Sequence, residues 1–238
     1  MKVLAIGNSF SQDSTRYLHQ IARADGVDVQ VTNLYIGGCS LEKHFRNMHS
    51  EERAYEIQQN GQRTGFFTSI KEALLSRSWD VVTFQQVSQQ SPHEESYHPY
   101  LETLASYVRT YAPKAKFYIH QTWAYEAESP RLLNVAKYET PEQMTADIVA
   151  AYAAAAESID AVGIIRSGEA MQALRQNGVA KIHRDTFHAT LGLGRYTLGL
   201  LWYHTLCNKS VLENTYCDLD EPVEPEQIAL AKRIVESL

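Results

Sequence analysis

The sequence predicts an α/β fold with a mostly parallel, five-stranded sheet covered by helices on both faces, and three observations predict it. Apolar, β-rich runs alternate with helical stretches along the chain, and parallel strands need such crossover connections. The first run, Val3 to Ile6, is continuously apolar, as a strand buried on both faces is. The length of 238 residues, with 44% hydrophobic and 21% charged residues, fits one domain spanning 1–238 around a full-sized core.

After the first strand a helical stretch runs from about Asp13 to Ala24, and Val27 to Tyr35 reads as the second strand, closed by Gly37-Gly38. Charged, helix-leaning sequence from Leu41 to Gln59 and from Thr68 to Ser76 leads to the third strand, Asp80 to Phe84. A helix from about Glu94 to Tyr111 is stopped by Pro113, and Lys116 to Gln121 forms the fourth strand. Thr140-Pro141-Glu142 opens a helix that continues through an alanine-rich segment to about Ser158, followed by the fifth strand, Ala161 to Ile165. Helices near Glu169 to Gln176, Leu191 to Leu206 and Pro225 to Ser237 end the chain.

Charge narrows the function classes. Lys plus Arg number 22 against 28 Asp plus Glu, a formal net charge of -6, with no long basic block, so a phosphate-tracking nucleic-acid surface is not expected. The longest apolar stretch, Ile148 to Ala156, falls far short of the roughly 18 residues a membrane span needs. Polar Gly7-Asn8-Ser9 interrupts the first apolar run too early for a signal-peptide core, so the expected location is the cytoplasm, though a removed leader would leave the same sequence. Cys39, Cys207 and Cys217 are too scattered for a disulfide framework or a thiolate zinc site.

In open parallel sheets ligands bind beyond the carboxyl ends of the strands, so chemistry is sought in the residues that follow them. Gly7-Asn8-Ser9-Phe10-Ser11 follows the first strand. A serine there often only caps the next helix, and the loop fits neither a Walker nor a dinucleotide glycine pattern. Late in the chain stands Asp185-Thr186-Phe187-His188, where a carboxylate three residues ahead of an imidazole can accept its Nδ1 proton and leave Nε2 outward. Such a pair is also common on surfaces, and Gly37-Gly38 by itself is a tight turn.

Together, in this chain order, these blocks resemble those of the SGNH, or GDSL-type, hydrolases, and the resemblance covers nearly the whole chain. It implies a flavodoxin-like, three-layer α/β/α sandwich, with Ser9 as nucleophile, His188 as general base and then acid, and Asp185 as its orienting partner. It also implies an oxyanion hole formed by the backbone of Ser9 and Gly38. Where the family carries Gly-x-Asn-Asp after the third strand, this chain reads Gln85-Gln86-Val87-Ser88-Gln89-Gln90-Ser91, the mark of an atypical branch. Alignment on the strand puts Gln89 at the asparagine position, and its amide carries the same NH2 donor; Gln85 and Gln86 are the other candidates for the pocket. Trp123 and Tyr125, after the fourth strand, are the aromatics expected to wall the pocket, with stacking on a sugar ring as their use there, although an aromatic at a strand end is as often ordinary packing.

The expected substrate is a small-molecule ester, a short acyl group such as acetyl on a carbohydrate or other small polar alcohol, hydrolysed without metal or cofactor. The rivals are a lipolytic esterase or thioesterase of the same superfamily and a flavodoxin-like phosphate- or ligand-binding module. A zinc site at His93-Glu94-Glu95-Ser96-Tyr97-His98 is set aside because a five-residue spacing swings the second imidazole off the helix face of the first.

Overall fold

A computed structural model describes residues 1–238. Its sheet has seven strands: β1 (Lys2–Gly7), β2 (Gln30–Tyr35), β3 (Tyr55–Gln59), β4 (Gln62–Thr68), β5 (Val81–Phe84), β6 (Lys116–His120) and β7 (Gly163–Ile165). They lie in the order β4-β3-β2-β1-β5-β6-β7. The pairs from β2 through β1, β5 and β6 to β7 are parallel, in the flavodoxin-type order with its switch point between β1 and β5. The five expected strands are these five.

The expected strand count was too low, because a hairpin extends the sheet beyond β2. β3 pairs antiparallel with β2 and with β4, and Gln59 faces Gln62 across a two-residue turn. That turn is Asn60-Gly61, both at positive φ (52° and 80°), the backbone that matches the twist of a hairpin. The stretch expected to be helical from Leu41 to Gln59 therefore divides into a helix and a strand. Six of the seven β4 residues are exposed, so the strand carries no apolar alternation to betray it.

Nine α-helices cover the sheet: α1 (Ser9–Thr15), α2 (Leu18–Ala24), α3 (Leu41–Ser50), α4 (Ile70–Ser76), α5 (Tyr100–Tyr111), α6 (Pro141–Ser158), α7 (Ser167–Gln176), α8 (Leu193–Cys207) and α9 (Pro225–Glu236). α8 packs against α1, α2, α7 and α9, while α3 and α4 pack against α5. The α6 start expected at Thr140 is a capping box, with the Thr140 and Gln143 side chains each bonding the other's backbone N–H. The core holds 60 buried apolar residues, and Val3, Leu4, Ala5 and Ile6 of β1 are each at most 1% exposed. Burial of that order contributes about 1.5–3 kcal/mol for each large aliphatic side chain, which fixes β1 and hence the loop that follows it. No helix is long and apolar enough to cross a membrane.

Candidate active site

Ser9 is the first residue of α1, immediately beyond β1, and Asn8 organises its position. The Asn8 side chain caps the helix by accepting from the Phe10 N–H at 3.0 Å, while its Nδ2 donates to the Cys39 carbonyl at 3.0 Å. Asn8 Oδ1 also accepts from Gln85 Nε2 at 2.7 Å. One buried side chain thus ties together the loops after β1, β2 and β5, and so brings Gly38 beside Ser9. Gly38 sits at φ +61°, and a Cβ there would meet nothing within 4 Å. The left-handed backbone favours glycine, and the free space around it belongs to the cleft.

The imidazole arrives from the other end of the chain. His188 Nε2 lies 2.8 Å from Ser9 Oγ, and His188 Nδ1 lies 2.7 Å from Asp185 Oδ2. A carboxylate only accepts, so the ring proton sits on Nδ1 and the serine hydroxyl donates to Nε2. Asp185 Oδ1 accepts from the His188 backbone N–H at 2.8 Å. Partial burial raises the Asp185 carboxyl, but the hydrogen bonds from the ring and backbone of His188 more than offset it and leave it below its ordinary value. The imidazole is flanked by Phe187 and Phe10, at ring-centre distances of 3.9 Å and 5.9 Å.

Several contacts hold the Asp185–His188 loop. Thr186, a β-branched residue, takes φ +74°, and its carbonyl accepts from the Glu126 N–H at 2.9 Å while its hydroxyl bonds Ser129 Oγ at 2.8 Å. Trp123 Nε1 donates to the Phe187 carbonyl at 2.8 Å. Asp13, fully buried on α1 one turn after Ser9, accepts from Arg184, Arg195 and the Ala189 N–H. The helix that carries the hydroxyl and the loop that carries the imidazole are therefore joined through one carboxylate.

The cleft above Ser9 has a volume of about 360 Å³, and Ser9, Gly38, Gln89 and His188 line it with Tyr35 and Arg131. Of the three glutamines considered, Gln89 alone reaches it. Gln86 is 0% exposed; its Oε1 accepts from the Leu41 and Val87 N–H groups and its Nε2 donates to Ser96. Gln85 lies in a buried line from Asn8 through His120 Nδ1, 2.8 Å from Gln85 Oε1, to Ser14 Oγ, 3.1 Å from His120 Nε2. Both residues support the cleft from behind, so the expectation that they line it is corrected. Trp123 is corrected too: it is fully buried, stacks on Phe10 at 4.1 Å and does not line the cleft above Ser9.

A larger cavity of about 480 Å³ lies beyond Trp123, bordered by Tyr125, Glu126, Met171 and His183. It contains neither Ser9 nor His188, so the smaller cleft is the candidate site. Burial pushes the Cys39 thiol up to about 12, so it stays protonated and serves as a packing residue in the Gly38 loop. Asn8, Asp13 and Arg131 were not singled out from sequence. Asn8 had a signal as an asparagine ahead of a helix; Asp13 and Arg131 had none, because their partners lie far along the chain.

Residues 2–236 match a family described as a domain of unknown function, DUF4886. No curated protein matches the chain. Among solved structures, a DUF4886 family protein from Bacteroides uniformis is 34% identical, with a TM-score of 0.92, covering 100% of this chain and 93% of that one. A protein from Slackia heliotrinireducens proposed to be an SGNH hydrolase is 21% identical with a TM-score of 0.62, covering 87% and 98%. An acetyl xylan esterase from Geobacillus stearothermophilus is 14% identical with a TM-score of 0.51, covering 87% and 93%. The last two share the α/β fold of SGNH-like hydrolases with this chain.

Proposed function

This chain belongs to the DUF4886 family, and we propose that it is a serine-dependent hydrolase of carboxylic esters acting on short acyl groups. The observation that carries the reading is the unbroken line from Ser9 Oγ to His188 Nε2 (2.8 Å) and from His188 Nδ1 to Asp185 Oδ2 (2.7 Å). A serine hydroxyl is a weak nucleophile at neutral pH and needs a base within hydrogen-bond reach. His188 takes the hydroxyl proton as Oγ attacks the ester carbonyl, and Asp185 stabilises the imidazolium that forms. His188 then returns that proton to the leaving alcohol. Water, deprotonated by the same ring, hydrolyses the acyl-enzyme and frees Ser9.

The oxyanion of each tetrahedral intermediate is met by the backbone N–H groups of Ser9 and Gly38, with the Gln89 amide as the side-chain donor. A donor of this kind is worth about 3–4 kcal/mol in the transition state. The modest cleft volume and the polar lining favour a small polar substrate such as an acetylated carbohydrate over a long acyl chain. Hydrolysis of p-nitrophenyl acetate tests the reading. The protein should turn it over, prefer acetate to octanoate, and lose activity to background as Ser9→Ala while its melting temperature stays unchanged. Turnover retained by that variant would overturn the assignment, and a preference for octanoate would replace the short-acyl reading with a lipolytic one.

A further inference from the structure

Arg131 stands in the cleft with its charge unanswered. It is the one Lys, Arg, Asp or Glu among the lining residues, in a chain of net charge -6. Its guanidinium makes no salt bridge and no hydrogen bond; its side-chain contact is the face of Phe187, with the guanidinium carbon 4.4 Å from the ring centre. A guanidinium held over a ring without hydrogen bonds has N–H groups to spare for a carboxylate, which it meets in a two-pronged bond. The nearby carboxylates do not compete: Glu126 and Glu128 border the other cavity, and Asp185 is engaged by His188.

The position says which part of an ester would meet this cation. Phe187 adjoins His188 in sequence, and their ring centres are 3.9 Å apart, so Arg131 is on the imidazole side of the cleft. That ring delivers a proton to the departing alcohol, so the alcohol must lie on the same side, while the Gly38 and Gln89 loops receive the carbonyl oxygen. We propose that Arg131 is a specificity residue that receives a carboxylate on the alcohol portion, so that the preferred substrates are acyl esters of acidic alcohols. This rests on the hydrolase reading of the same cleft and narrows its substrate class.

The test compares 4-acetoxybenzoate with its methyl ester, each rate normalised to that ester's own uncatalysed hydrolysis, for the wild type, Arg131→Gln and Arg131→Lys. Wild type should favour the anion by about tenfold in kcat/KM at low salt, and the preference should shrink as added salt screens the exposed pair. Arg131→Gln should bring the ratio near one, and Arg131→Lys should keep part of it. A wild type without preference, or a preference that survives Arg131→Gln, overturns the inference while hydrolysis of the neutral ester leaves the enzyme reading standing. If neither ester is hydrolysed, the enzyme reading fails, and calorimetric titration with 4-hydroxybenzoate and its methyl ester decides the anion site alone. Tighter binding of the anion by wild type but not by Arg131→Gln sustains it, and equal binding overturns it.

Discussion

Replacing Asp13 with asparagine should damage stability and turnover together. Asp13 is 0% exposed and answers two guanidinium groups, Arg184 at 2.9 Å and Arg195 at 2.9 Å, plus the Ala189 N–H at 3.2 Å. Asparagine keeps the shape but removes the charge and turns an NH2 group toward guanidinium donors. Breaking a buried pair by removing one partner costs about 3–5 kcal/mol. The lower end applies, because Arg184 and Arg195 are 27% and 13% exposed and Arg195 keeps Asp220 at 2.9 Å. A loss of about 3 kcal/mol in a chain of this size lowers the melting temperature by about 6–12 °C. The same carboxylate sets the approach of α1 to the His188 loop, and a misplacement of about 1 Å can cost about a hundredfold in rate. Thermal melts followed by circular dichroism, with esterase kinetics below the transition, measure both effects. A melting temperature within about 2 °C of wild type with kcat unchanged would refute the claim that Asp13 joins the two halves of the site.

Three further perturbations test other parts of the account. Burial pushes the fully enclosed His44 and His120 down to about 3, so they stay neutral in the fold while the unfolded chain protonates them near 6.5. Their stabilising share is complete above pH 6.5 and is lost as pH falls toward 3, at up to about 1.4 kcal/mol per pH unit each; urea melts from pH 7.5 to 5 should show this, and His120→Gln should flatten the slope. Gly38→Ala should fold with a loss of only about 1–2 kcal/mol, since its Cβ enters free space, yet lower kcat about tenfold or more because the methyl group occupies the cleft; equal activity would contradict the claim that the space beside Gly38 receives the substrate. Gly61→Ala should cost roughly 2–3 kcal/mol, because a Cβ at φ +80° would lie 2.0 Å from the Arg16 carbonyl oxygen, and a melt unchanged from wild type would contradict the hairpin turn.

The parallel strands were legible because each is a β-rich run separated from the next by a helical stretch, and sequence order alone then places the ends of β1 and β2 where ligands bind in such sheets. The β3–β4 hairpin was not, because its inward residues include Glu56 and Gln58, polar side chains whose burial is offset by bonds from Arg63 and Asn33. Its one short-range signal was Asn60-Gly61, a dipeptide whose backbone preference outweighs the charged, helix-leaning residues before it. Ser9, Gly38, Asp185 and His188 stood out because a serine after the first strand, a glycine after the second and a late Asp-x-x-His come in the chain order that resembles the SGNH hydrolases. The glutamine cluster could not be sorted from sequence: Gln85, Gln86 and Gln89 carry identical amides, and only their partners, His120 and Asn8 for the first and Leu41 and Ser96 for the second, separate support from lining. Trp123 misled for a related reason, since an indole after a strand serves a ligand or the fold, and here its N–H holds the Phe187 carbonyl.

The central claim is that the Ser9 hydroxyl is activated by His188, and covalent capture tests it most directly. A fluorophosphonate reagent, followed by proteolysis and peptide mass spectrometry, should place one adduct on Ser9, at a rate that falls to background in His188→Asn. Labelling of another residue, or a folded protein that leaves Ser9 unmodified, would contradict it.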